Sequence, residues 1–372
     1  MQYGRNGAVL RIDLPALRAN YRLLKSKLGI AQCGAAVKAD AYGLGAVPVA
    51  QALYAENCRH FFVAHLEEAI ALRPHLASDA QIIVMHGSPV GYEAEFLQYQ
   101  CLPVLNSTQQ IAAWKALAQQ QQRALPALLQ VDTGMARMGL STQEIDAWQN
   151  DSQFLAGIDV QYLMSHLASA EDQANPMNRA QLAKFTQLRA LLPGVKASLA
   201  NSSGIFLGSD FHFDLARPGA ALYGVAPVAG QANPLQAVAH LQGRIIQTRE
   251  IPAGTGVGYG STWRSTQIAR IATVAVGYAD GWMRSLSNRG IAHIAGQEVP
   301  MVGNVSMDTI TLDVSCVAAE HLQPGALVDL ISATNTVDAV AAKAHTIGYE
   351  ILTSLGARYE RHYSDNQSVK TA

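Results

Sequence analysis

Cysteine is scarce in this chain. Only Cys33, Cys58, Cys101 and Cys316 occur among 372 residues, and no two stand in CxxC spacing. That excludes a disulfide framework or a cysteine-built metal cluster as an organising feature. Long apolar runs are also missing, with none near the ~20 residues of a membrane helix. The opening MQYGRNGAVLRIDL holds no apolar core of secretory-signal length. Neither sign of charge is in excess: 27 basic residues face 28 acidic ones, for a net charge of −1. With no basic runs, nucleic acid is not expected as a partner, and neither is a membrane. These absences point to a globular protein of a reducing cytoplasm. The length suits about two domains, although one barrel alone can take ~250 residues.

What the chain does have is a repeating architecture. A short apolar run ends in a polar residue, and a loop and a helix-patterned stretch follow. The runs are AAVK to Lys38, HFFVAH to His65, QIIVMH to His86 and CLPVLN to Asn106. They continue with ALPALLQVD to Asp132, DVQYLMSH to His166, KASLAN to Asn201 and FDLAR to Arg217. Strands alternating with helices mean βα units and a parallel sheet. Eight units over roughly residues 30–230 fit a closed (β/α)8 barrel, with an open doubly wound sheet as the alternative. In a barrel, the eight polar residues stand at the catalytic end of the strands. For His65, His86 and Asn106, ordinary strand-end hydrogen bonding is the expected role.

The pattern changes after about residue 235. HLQGRIIQTREI, ARIATVAVGYA, GIAHIAGQEVPMVG, MDTITLDVS and GALVDLIS are rich in Val, Ile and Thr, with turn signals between them. We therefore expect a barrel domain over 1–235 and a mostly antiparallel β domain over 236–372. The strand near 8–14 is separated from the barrel by a helix and is expected to join the β domain.

Lys38 poses a chemical question. An ammonium at the end of a buried strand must be paired or neutralised. Barrels often bind phosphate in the loops after strands seven and eight. Here those loops are NSSG (201–204) and RPGAALYG (217–224). Their small residues admit backbone N–H groups to an anion, and Ser202 and Ser203 add hydroxyls. A phosphate seat beside a lysine suggests pyridoxal phosphate held as a Schiff base. A sugar-phosphate aldolase with a Schiff-base lysine is the competing barrel reading.

AAVKADAYGLG closely resembles the cofactor-lysine motif of alanine racemases. VDTGMARMG, SHLASAED, ANSSG, LARPGAALYG, GVGYGSTW, VAVGYADGW and VGNVSMDTITLDV resemble that family's other blocks, in order and across nearly the whole chain. The resemblance implies a pyridoxal-phosphate enzyme that interconverts L- and D-alanine, for peptidoglycan precursors or for D-alanine catabolism. Lys38 would carry the cofactor and act as base on one face of the substrate, with Tyr259 as base on the other. Tyr42, Asn201, Ser202, Gly219 and Ala220 would hold the cofactor, its phosphate above all, and Arg217 would face the pyridine nitrogen. His166, linked to Arg217, would support the Tyr259 phenolate. Arg137 would meet the cofactor's phenolic oxygen and the substrate carboxylate. The Met307 amide would bind that carboxylate with Asp308 alongside, and Tyr278 would gate the access corridor. The family pattern brings Tyr259 and Met307 from a second subunit, so a homodimer is implied.

Two positions depart from the family. Gln130 stands where many members have a carbamylated lysine, and Ala357 where some have a tyrosine beside the phosphate. Other readings on this architecture are a racemase for serine or another small amino acid, and a cofactor-dependent decarboxylase. A non-enzymatic carrier barrel would lack the β domain.

Overall fold

The computed structural model describes residues 5–365. Its strands are β1 (Ala8–Asp13), β2 (Gln32–Cys33), β3 (Ala35–Ala36), β4 (His60–Val63), β5 (Gln81–Val84), β6 (Cys101–Leu105), β7 (Leu125–Gln130), β8 (Ile158–Met164), β9 (Lys196–Ser198) and β10 (Leu215–Ala216). The second half adds β11 (Ala239–Ile251), β12 (Gly256–Val257), β13 (Trp263–Arg264), β14 (Ala269–Val274), β15 (Ile291–Ile294), β16 (Gln297–Pro300), β17 (Ile310–Asp313), β18 (Leu327–Ile331) and β19 (Glu360–Ser364).

Strands β3 to β9 pair in parallel, each with the next. β2 and β3 are halves of one strand divided at Gly34. A Cβ there would sit 2.9 Å from the Phe62 ring and 3.1 Å from the His60 carbonyl, so the chain keeps glycine. β10 closes the ring. It pairs in parallel with β2, and Asp214 N donates to Ala197 O at 3.0 Å on the β9 side. The sheet is thus a closed barrel rather than an open doubly wound sheet. His60 to Val63 are all buried, as expected for a parallel sheet covered on both faces.

The helix Leu14–Lys27 shows why local sequence sets these elements. Asp13 accepts from Ala16 N at 2.8 Å as its N-cap, and Pro15 lies in its first turn. Leu17, Tyr21 and Leu24 form its buried stripe. On the other side of that helix, β1 runs antiparallel to β11 and parallel to β19. β11 also pairs with β14 and β18, all antiparallel. A Cβ at Gly243 on β11 would lie 2.4 Å from Val274, so glycine lets the neighbouring side chains close over it.

One hydrophobic core runs from Leu10 through the barrel to Tyr359. The helix Gly348–Ser354 leaves the β domain and lies over the barrel mouth. There a Cβ on Gly43 would meet the Leu352 carbonyl at 2.5 Å. Arg361 donates across the same seam to Gly43 O at 2.6 Å. No helix among the described residues is long and apolar enough to cross a membrane. The four cysteines are free thiols.

Candidate active site

The first barrel strand ends in an unusual turn. Ala39, Asp40, Ala41 and Tyr42 all adopt left-handed helical angles, with φ of 52, 54, 54 and 57°. Each costs roughly 1–2 kcal/mol for a residue with a Cβ. Strain of this kind persists only where neighbours over-determine it. Here Ala41 N donates to Val37 O at 2.9 Å and Gly45 N to Asp40 O at 2.8 Å. The Asp40 carboxylate takes Ala46 N at 2.7 Å. The turn leaves both Lys38 and Tyr42 on the wall of one cavity of about 460 Å³.

At one end of that cavity, Ser202 Oγ accepts from Gly219 N at 2.9 Å and Ala221 N at 3.2 Å. Its own O–H is left to donate to a ligand. A Cβ on Gly219 would fall 2.3 Å from the Tyr42 hydroxyl. Glycine is therefore what allows that hydroxyl into the seat. Burial pushes the Tyr42 pKa up, so the phenol is a neutral donor. Ala220 also lines the cavity, and so does Asn201. The Asn201 Oδ1 is engaged with Gly204 N at 2.9 Å and shapes the loop.

At the other end lies Arg217. It donates to Ser198 Oγ at 2.5 Å, to Ser165 O at 2.6 Å and to His166 Nδ1 at 3.3 Å. Burial pulls the guanidinium down to about 10, which leaves it charged at neutral pH. Burial first, then Arg217, Arg137 and Lys38, push His166 down to about 3. A neutral His166 that accepts at Nδ1 carries its proton on Nε2.

Lys38 sits between these ends. Burial chiefly, and then Arg137, lower its pKa, while Glu68 opposes them. Arg137 is carried on a loop that Asp132 organises. The Asp132 carboxylate accepts from Gly134 N, Met135 N and Ala136 N at 2.8, 2.9 and 3.0 Å. Gln130 is buried and lines the cavity between Lys38 and this loop.

The structure therefore gathers Lys38, Tyr42, Arg137, His166, Asn201, Ser202, Arg217, Gly219 and Ala220 around one cavity. The β-domain residues expected at the site, Tyr259, Tyr278, Met307 and Asp308, are not among its lining. Tyr259 is 75% exposed at the lip of a separate cavity of about 530 Å³. Tyr278 and Met307, 43% and 53% exposed, share one small unit. In it Tyr278 N donates to Ser306 O and Ala279 N to Met307 O, both at 2.9 Å. The Asp308 carboxylate is taken by Arg358 at 2.8 Å, which also holds buried Asp280 at 2.6 Å.

Sequence reasoning missed several of these residues. Tyr349 and Thr353, on the helix that crosses the mouth, line the cavity, and the Tyr349 ring lies 6.0 Å from that of Tyr42. His86, expected to be a plain strand-end residue, lines it too. The βα repeat could have flagged His86, but no barrel signal points to a helix of the other domain.

Fold and cavity define a (β/α)8-barrel enzyme with a lysine held at its mouth beside the hydroxyls of Tyr42 and Ser202. A family model described as alanine racemase, N-terminal domain, matches residues 12–227, and one described as alanine racemase, C-terminal domain, matches residues 238–363. The chain belongs to the alanine racemase family, which is pyridoxal-phosphate-dependent, and is an isomerase. A catabolic alanine racemase of Mesorhizobium japonicum is 48% identical over 357 residues, covering 96% of this chain and 93% of the relative. The alanine racemase of Rhodospirillum rubrum is 48% identical over 360 residues, with 96% of each chain covered. Among solved structures, the alanine racemase of Bartonella henselae with covalently bound pyridoxal phosphate superposes with a TM-score of 0.93 at 42% identity, covering 96% of this chain and 99% of that one. The biosynthetic alanine racemase of Pseudomonas aeruginosa gives 0.89 at 35%, covering 97% and 100%.

Proposed function

We propose that this enzyme racemises alanine with pyridoxal phosphate anchored on Lys38, working by two bases, in a cytoplasmic homodimer that supplies D-alanine for peptidoglycan precursors. The observation that carries the reading is the cradle between Tyr42 and Gly219. A hydroxyl occupies the space where a Cβ would be, with Ser202 beside it and a lysine across the cavity. These groups fit a phosphorylated aldehyde: two hydroxyl donors and small-residue backbone for the phosphate, and an amine for the carbonyl carbon.

When bound, the cofactor supplies the electron withdrawal that acidifies the substrate's α-C–H. The chain's own groups do the rest. Arg217 keeps its protons at neutral pH and would face the pyridine nitrogen as a fixed donor. Because it gives up no proton, Arg217 would leave that nitrogen unprotonated and so moderate the electron withdrawal, which favours brief proton loss over longer-lived side chemistry. An acidic partner there would favour a decarboxylase, so Arg217 argues against that activity. Arg137 would grip the substrate carboxylate with its planar fork. The Lys38 amine, eased toward its neutral form by burial, would take or return a proton on one face.

The second face needs another base. Tyr259, with Met307, Asp308 and Tyr278 near the substrate's carboxylate and path of access, is proposed to enter from the partner subunit. The 75% exposure of Tyr259 supports this, since within its own chain the phenol faces solvent and does not line the cavity of Lys38. His166 would stabilise its phenolate once the two meet. The test is D-alanine formation from L-alanine with and without added pyridoxal phosphate, beside a panel of enantiopure amino acids. Conversion of alanine that depends on the cofactor is expected. Absence of conversion, or serine as the preferred substrate, contradicts the proposal.

A further inference from the structure

Around the barrel mouth, four βα units share one stitch. A side chain in the early turns of the helix bonds its own unit, at the strand end or the helix N-cap, and also reaches the preceding unit. Glu144 accepts from Ser141 N and Thr108 N, both at 2.9 Å. Gln110 accepts from Asn106 N and donates to His86 O, both at 2.8 Å. Gln181 accepts from Ala168 N and donates to His166 O within its own unit, both at 2.9 Å, and donates to Thr133 Oγ1 of the preceding unit at 3.1 Å. The residue type follows the partners. Two N–H donors call for an acceptor-only carboxylate, and a donor with a carbonyl calls for an amide.

Glu68 makes the first stitch. Its Oε2 takes Ala64 N at 2.6 Å and His65 N at 3.1 Å. Its Oε1 takes Ala39 N at 2.6 Å. All three partners are donors, so the carboxylate is the matching group, and charge-assisted bonds of this length are the strong kind. Ala39 is the residue after Lys38 and the first of the four left-handed residues. The other stitches join ordinary loops, whereas this one pins a strained turn to the neighbouring strand.

We propose that Glu68 is a positioning residue for catalysis: its carboxylate holds the left-handed turn, and with it the aim of Lys38 into the cavity. This rests on the reading of Lys38 as the reacting amine. Small misplacements of a reacting group cost rate far more than affinity. The Glu68 charge also opposes the lowering of the Lys38 pKa, so its loss alters the amine as well as the turn.

The experiment uses the full-length enzyme loaded with pyridoxal phosphate. Glu68→Gln keeps the shape but turns an amide N–H₂ toward a backbone donor, Glu68→Ala removes both arms, and Glu144→Gln breaks a sister stitch. In both Glu68 variants, hydrogen exchange over residues 38–46 is expected to quicken roughly tenfold or more. The kcat should fall roughly tenfold or more, with KM for alanine within about threefold. Glu144→Gln should quicken exchange near residues 108 and 141 and leave kcat within about twofold. Unchanged exchange at 38–46 in both Glu68 variants, or an equal kcat loss in Glu144→Gln, overturns the proposal. A Lys38→Ala control separates the readings. Retained activity there sinks the role of Lys38, while the exchange result still reports on what Glu68 holds.

Discussion

The barrel mouth and the β domain treat their chemical residues in opposite ways. At the mouth, Lys38, Tyr42, Ser202 and Arg217 converge on one cavity, and hydrogen bonds or packing hold them there. In the β domain, Tyr259, Tyr278 and Met307 stand exposed on well-built turns. The mouth is a site prepared to hold a ligand. The β-domain group is held by backbone hydrogen bonds but lies outside the cavity of Lys38. On the proposed reading, the difference teaches that a single chain carries two halves of a machine, one to hold the cofactor and the other to close the site of a second copy.

The comparison can be broken most severely at Lys38. Lys38→Ala should reduce racemisation by roughly 10⁴-fold or more, because both the anchor and one base are lost. Retained cofactor absorbance and turnover would remove the mouth from the mechanism. Tyr259→Phe should cost roughly 10²–10⁴-fold, the usual range for a positioned acid–base group. Its signature is directional. Solvent deuterium should enter the α-position from one enantiomer far more slowly than from the other, and a symmetric loss would contradict the two-face assignment.

Smaller effects sharpen the contrast. Arg358→Ala frees Asp308 and leaves buried Asp280 unpaired. It should loosen the Tyr278–Met307 unit and raise KM for alanine roughly three- to tenfold, with kcat within about threefold. A kcat effect without a KM effect would argue that this unit does not meet substrate.

The barrel floor supplies a pH test. There His60, 3.3 Å from the Tyr162 hydroxyl, is pushed down to about 4, chiefly by burial. His166 at the mouth falls to about 3. In the unfolded chain both rings take a proton below about pH 6.5. The unfolded state then binds more protons than the folded one, so stability falls as pH drops from about 6.5 toward 4. The His60 contribution is on the order of 3 kcal/mol at its full extent. Urea midpoints at pH 7 and pH 4.5 should show a smaller acid loss for His60→Gln than for the parent. Equal slopes would mean that the ring is already charged in the fold.

The two regions also differed in how much of them could be read from sequence. The barrel was legible because its strands are apolar runs with a polar residue at each catalytic end. Periodicity alone located Lys38, His166, Asn201 and Arg217. The β domain was legible as strands, yet its chemical residues were reachable only by resemblance, since GVGYGSTW and NVSMDT read as ordinary turns. Tyr349 and Thr353 escaped because their helix belongs to one domain and lines the cavity of the other. The left-handed turn escaped because Ala-Asp-Ala-Tyr carries no glycine to announce positive φ. It is imposed by surrounding hydrogen bonds, and those come from tertiary structure. Glu68 was hidden for the same reason: its partners are backbone amides of two different units.

Subunit complementation tests the divided machine most directly. Lys38→Ala and Tyr259→Phe proteins, each nearly inactive alone, are mixed under conditions of subunit exchange. If each site takes Lys38 from one chain and Tyr259 from the other, one of the two sites in a mixed dimer is intact. Random 1:1 exchange makes half the dimers mixed, so activity should recover to about one quarter of the parent level. No recovery, with mixed dimers demonstrated by mass, would mean that both residues must come from the same chain.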